Sequence, residues 1–160
     1  MGHMSSATTF EIKSSSPADT LRIAGILGSN LAGGETIELI GDLGAGKTQF
    51  VRGLATGLGS QDQVQSPSFT ISRIYKGRGD IEIHHYDFHR LDNPGLLRQE
   101  LAESLAQPKV TVVVEWADTV ADILPADKIT IHLVPESETE RLLKFSGTAN
   151  SKQLLETLAK

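Results

Sequence analysis

Residues Gly41-Asp42-Leu43-Gly44-Ala45-Gly46-Lys47-Thr48 match the pattern G-x-x-x-x-G-K-[ST]. Each type in that pattern has a task in holding phosphate. The glycines permit backbone conformations that a β-carbon forbids, so successive N–H groups can turn inward onto phosphate oxygens. Lys47 offers a mobile cation to the β and γ phosphates, and the Thr48 hydroxyl suits Mg²⁺. A helix starting near Lys47 would point its positive dipole end at the same anion. The chemistry expected is binding of a nucleoside triphosphate, ATP with Mg²⁺. A glycine-rich turn that binds nothing is the plain alternative. The apolar stretch before the loop and the amphipathic stretch after it argue against that alternative.

A phosphate loop needs a second anchor for the metal, usually an acid at the end of an adjacent strand. Glu115 directly follows the apolar run Val110 to Val114, and Asp87 ends the alternating run Ile81 to Tyr86. Acids at the carboxyl ends of strands face the crevice where open α/β sheets bind ligands. The sequence alone does not divide their work. Glu115 is assigned to Mg²⁺ and Asp87 to the γ-phosphate as a hypothesis. A solvated strand end and a turn or cap role are the competing readings. Ser66-Pro67-Ser68 supplies hydroxyls for a segment that responds to a γ-phosphate, or forms an ordinary turn. His84, His85 and His89 lie in or beside one strand, with His85 and Asp87 on one face and His84 opposite. Such a cluster can bind zinc, but is more often at the surface or hydrogen-bonded. Trp116, the single tryptophan, is either core or a platform beside the site.

The elements that must position these groups follow from periodicity and punctuation. Thr8 to Lys13 reads as an edge strand. Ser16-Pro17 reads as an N-cap with proline in the first turn, and Asp19 follows. Leu21, Ala24, Ile26, Leu27 and Leu31 give helical spacing up to Gly33-Gly34. Thr36 to Ile40 is a strand, and Lys47 to Leu58 a helix closed by Gly59. Ser60 to Ser68 is a polar loop. Phe69 to Tyr75 and Ile81 to Asp87 flank Lys76 to Asp80 as an antiparallel hairpin. Asn93-Pro94 opens a helix to about Ala106. Val110 to Val114 is the most apolar strand and is expected to be central. Lys128 to Val134 and Arg141 to Ser146 are further strands, and Ser151 to Ala159 a terminal helix. The interleaving indicates an α/β fold of the P-loop NTPase type: a three-layer sandwich with a mixed, largely parallel central sheet and an antiparallel hairpin.

Composition bounds the rest. The 160 residues favour one domain, taken as residues 5–160 after a cloning scar at 1–4. A net charge of −5 without a basic stripe makes any contact with nucleic acid indirect or partner-borne. There is no cysteine, which excludes disulfides and thiolate metal sites and suits a cytoplasmic protein. No apolar run approaches the ~20 residues that span a bilayer, and no secretory signal is expected.

GDLGAGKT at 41–48, SPSFT at 66–70, HYDFHR at 85–90 and EW at 115–116 occur in order and close together. This set resembles the bacterial TsaE (YjeE) family, the ATPase component of tRNA threonylcarbamoyladenosine biosynthesis. The resemblance covers nearly the whole chain. It implies that Lys47 and Thr48 hold phosphate and Mg²⁺, that Glu115 is the second metal residue, and that Asp87 lies beside the γ-phosphate. It implies a switch-like role for Ser66-Pro67-Ser68, and it puts Thr20 and Arg141 at the nucleotide base and ribose. Two partners, TsaB-like and TsaD-like, are implied, the latter transferring a threonylcarbamoyl group to adenosine 37 of tRNAs reading codons that begin with A. The resemblance also implies that the ATPase is slow and does not itself perform the transfer. Departures occur at Ser68, His89 and Ala117, where the family usually has threonine, tyrosine and proline; none removes a phosphate or metal group.

Three other functions compete. A small metabolite kinase needs an acceptor pocket and normally an arginine-bearing lid, and no lid-like insertion is visible. A GTP-dependent switch lacks its N-K-x-D motif here. A nucleotide-sensing partner without catalysis is the third.

Overall fold

The computed structural model describes residues 8–42, 44–62, 72–89 and 95–159. Leu43, the candidate loop residues Ser66, Pro67 and Ser68, and residues 90–94 lie outside them. Among the described residues seven strands and four helices follow in order: β1 (Thr8–Ser14), α1 (Pro17–Ser29), β2 (Thr36–Ile40), α2 (Lys47–Gly57), β3 (Ser72–Lys76), β4 (Glu82–Asp87), α3 (Gly95–Leu105), β5 (Val110–Glu115), β6 (Ile129–Pro135), β7 (Arg141–Gly147) and α4 (Lys152–Glu156). A 3₁₀ stretch, Ala117–Ile123, follows β5 directly.

The strands form one sheet in the order β1-β7-β6-β2-β5-β4-β3. Its four inner strands are parallel, through the pairs β6–β2, β2–β5 and β5–β4. Antiparallel pairs close both margins: β1–β7 and β7–β6 on one side, β3–β4 on the other. The sheet is mixed with a parallel centre, and the hairpin expected from alternation is β3–β4. Every residue of β5 is buried, as an unbroken apolar run requires when both sheet faces are covered. Val113 faces a core shared with α1, α2, Ile37, Leu39 and Ile131. Val112 and Val114 face a second core with Tyr86, Leu101 of α3 and Val120 of the 3₁₀ stretch.

Helix α1 begins as its sequence demands. The Ser16 hydroxyl accepts from the Asp19 amide at 3.0 Å, with Pro17 opening the helix. Its end differs from the expected stop at Gly33-Gly34. The Asn30 side chain donates to the Ile26 carbonyl at 2.8 Å and takes a terminal acceptor, so the helix ends at Ser29 and Leu31 is buried from the connecting segment. Helices α1 and α2 meet through glycine. A β-carbon on Gly28 would stand 2.2 Å from the Leu54 carbonyl oxygen, and one on Gly57 would stand 2.2 Å from that of Gly25. Backbones this close fix α2, and the loop before it, against α1. The expected terminal helix is a short α4 between two 3₁₀ turns.

Candidate functional site

The segment from Gly41 to Gly46 leaves the carboxyl end of β2 and enters α2. Gly46 is the residue before the helix, with φ 103° and ψ 16°, a left-handed conformation that a β-carbon disfavours. No side chain caps this helix start. Its first amides therefore present an anion site of the kind helix N-termini form. The loop is braced from across the sheet. Arg141, at the start of β7, donates from Nε to the Ala45 carbonyl at 2.9 Å and from Nη2 to the Gly44 carbonyl at 3.3 Å. Its Nη1 reaches the Ser137 and Glu140 carbonyls at 3.0 Å and 2.9 Å.

Lys47 turns back under this loop and is 7% exposed. Its Nζ donates to the Gly41 carbonyl at 2.6 Å, lies 3.5 Å from Glu115 Oε1, and stands 4.6 Å from the centroid of the Trp116 ring. A buried cation here is held by a carbonyl, a carboxylate and a π face. Glu115 is also buried, and its other oxygen, Oε2, lies 2.5 Å from His85 Nε2. Burial pushes the Glu115 carboxyl up. The hydrogen bond and charge of His85, with the charge and hydrogen bond of Lys47, outweigh burial and hold it below its ordinary value.

Asp87 and Glu115 are register partners at the ends of the parallel strands β4 and β5. The two acids singled out in the sequence are thus brought side by side. Asp87 is buried, and its Oδ1 accepts from the His89 amide at 2.9 Å, so it also organises the turn that follows. The His89 ring stacks on Trp116 with centroids 4.6 Å apart. Trp116 has φ 55° and ψ 55°, a left-handed conformation rare outside glycine. That turn swings the indole off the strand axis and over Lys47, which makes Trp116 a platform of the site. Thr48 is the second residue of α2, half-buried beside Lys47.

Thr20 and Arg141 line a cavity of about 230 Å³ with Pro17, Gly46 and Gln49. The Thr20 hydroxyl is taken by the Ser14 hydroxyl at 2.6 Å, and Thr20 is 2% exposed. On the other side of the loop a cavity of about 450 Å³ is bounded by Gly41, Lys47, Trp116, Asp118, His132 and Lys144. The histidines divide as alternation predicts. His84 faces α3 and contacts the Ser104 hydroxyl at 2.7 Å and Glu82 at 2.8 Å, while His85 points at Glu115. Among the described residues no group of three or more His, Asp or Glu is arranged to hold a metal ion. Two roles escaped the sequence reading: the contact of His85 with Glu115, and the bracing of the loop carbonyls by Arg141. The shared face of His85 and Asp87 pointed toward the first. Nothing local pointed toward the second.

The model of the family described as "Threonylcarbamoyl adenosine biosynthesis protein TsaE" matches residues 14–143. A tRNA threonylcarbamoyladenosine biosynthesis protein TsaE from Treponema pallidum (strain Nichols) is 38% identical over 120 residues, covering 75% of this chain and 87% of that protein. The protein of the same name from Bacillus subtilis (strain 168) is 31% identical over 140 residues, 87% of this chain and 86% of its own. The crystal structure of Bacillus subtilis YdiB superposes with a TM-score of 0.79 at 29% identity, covering 99% of this chain and 97% of that one. With its P-loop-type fold and a family match running from the end of β1 into β7, the chain belongs to the TsaE family of tRNA threonylcarbamoyladenosine biosynthesis.

Proposed function

We propose that this chain binds ATP with Mg²⁺ at residues 41–48 and hydrolyses it slowly. That cycle supports TsaB-like and TsaD-like partners that form threonylcarbamoyladenosine at position 37 of tRNAs reading codons that begin with A. The protein itself would touch tRNA only indirectly. The observation that carries this reading is the buried Lys47, held between the loop carbonyl of Gly41 and the Glu115 carboxylate. The helix start above this lysine has no side-chain cap, and a triphosphate supplies the anion that its amides and the Lys47 Nζ can share.

The donor set fits the metal as well. Glu115 stays ionised, and Thr48 offers a hydroxyl at the helix start. Mg²⁺, when bound with the nucleotide, neutralises phosphate oxygens and so lowers the charge that attack on the γ-phosphate must overcome. The work of the chain's own residues is positioning and charge. The loop amides and Lys47 bind the phosphates, and Glu115 and Thr48 take the metal. Asp87, next to Glu115, is set to orient the attacking water, and Trp116 shields Lys47 from solvent. Arg141 keeps the loop in shape and borders the small cavity assigned to the base and ribose with Thr20.

The test is phosphate release from ATP by the chain alone and with its two expected partners. Stimulation by the partners supports the assignment; an unchanged rate contradicts the supporting role. The cavity beside Trp116 is the one feature that favours a metabolite kinase, since it leaves room for an acceptor. Transfer of the γ-phosphate to a small acceptor in place of bare phosphate release would decide for that reading.

A further inference from the structure

The two acids of the site are held in different ways. Asp87 is fixed by the backbone amide of His89, whereas Glu115 is fixed by side chains alone, with His85 on one oxygen and Lys47 near the other. His85 is 0% exposed and projects from β4 opposite Val113 of β5. Among the described residues its Nδ1 is buried without a hydrogen-bond partner. Among the described residues Glu115 is therefore the only polar group that aims the ring. A carboxylate oxygen can only accept, so the hydrogen sits on Nε2 and His85 is the donor. An imidazole buried with one nitrogen unsatisfied costs stability compared with an apolar side chain of its size. Core packing alone does not explain a histidine here.

We propose that His85 is a positioning residue for nucleotide-bound metal, acting through Glu115. Its Nε2–H holds Oε2, so the carboxylate keeps its second oxygen and its charge at the mouth of β5. Without that bond, Glu115 would close the 3.5 Å gap to Lys47 Nζ. The resulting tight ion pair would withdraw the carboxylate oxygen from the metal, while Lys47 keeps its place under the loop. Outer partners of metal-binding groups act in this way by fixing the orientation of the group they touch. The inference rests on the ATP–Mg²⁺ reading given above.

The experiment compares ATP affinity in Mg²⁺ with ATP affinity in EDTA, by calorimetry, for wild type, His85→Gln and His85→Asn. The glutamine amide nitrogen can stand where Nε2 does; that of asparagine cannot reach so far. Expected are a wild-type ratio of the two affinities in His85→Gln, a ratio reduced roughly tenfold or more in His85→Asn, and similar affinities in EDTA for all three. A merely structural role would move both affinities together and would not separate the two amides. Should His85→Asn fail to fold, His85→Phe fills the ring volume without a donor and is judged by the same criterion. An unreduced ratio in the donor-less variant, or a lost one in His85→Gln, overturns the proposal alone. A wild-type protein whose ATP affinity ignores Mg²⁺ overturns the metal reading and this proposal with it.

Discussion

Lys47 and Glu115 face each other where both are buried, and the acid–base behaviour of Glu115 follows. The folded Glu115 carboxyl lies below its ordinary value of 4.5 because His85 and Lys47 outweigh the cost of burial. A depressed folded pKa means that the carboxylate contributes stability above about 4.5 and loses it as pH falls through the lower folded value. Urea unfolding of wild type should therefore weaken more steeply in that acid range than unfolding of Glu115→Gln. Parallel curves for the two proteins would contradict the ionised pair. The same geometry makes Trp116 a reporter. It is the only tryptophan, and Lys47 Nζ stands over its ring. Adding ATP should change its emission in wild type and leave it unchanged in Lys47→Ala.

At the scale of elements, the seat of the loop depends on how closely α1 and α2 approach. Gly28→Ala would drive a methyl into the Leu54 carbonyl, 2.2 Å from its ideal position. Overpacking of that kind costs about 1–3 kcal/mol. Gly25→Ala meets nothing nearer than 3.8 Å and should stabilise the helix by roughly 0.5–1 kcal/mol. Urea denaturation of the two variants tests the contrast, and equal effects would contradict the packing. Little of this contact was legible in the chain, because glycine inside a helix reads locally as a weakness. What was legible came from period and punctuation: the cap at Ser16, the buried run of β5, the hairpin of β3 and β4, and the alternation that put His85 and Asp87 on one face. What was not legible depends on partners far along the sequence. Arg141 braces carbonyls on a loop almost a hundred residues earlier, and the left-handed turn at Trp116 falls between β5 and the 3₁₀ stretch with no glycine to announce it. The end of α1 was misplaced because a side chain, Asn30, does the work assigned to the glycines.

For the molecule as a whole, the two cores are unequal among the described residues: the first runs from β1 and β7 through β5 to β3, under α1 and α2. The second core is confined to β4, β5, α3 and the 3₁₀ stretch, while β6 alternates buried Ile129, Ile131 and Leu133 with exposed His132. Among the described residues no helix is long and apolar enough to cross a membrane. With a net charge of −5, direct binding of tRNA by the isolated chain should be weak. Gel-shift titration at near-physiological salt is the check, and tight salt-sensitive binding would contradict it. The phosphate pocket at residues 41–48 underlies the behaviour of the whole molecule. Its most direct test is calorimetric titration of ATP with Mg²⁺ into wild type and Lys47→Ala, with circular dichroism as the fold control. Expected is binding to wild type at one site and a loss of roughly tenfold or more in the variant, as removing a charge-assisted contact implies. Equal affinity in two equally folded proteins would contradict the assignment of the phosphate loop.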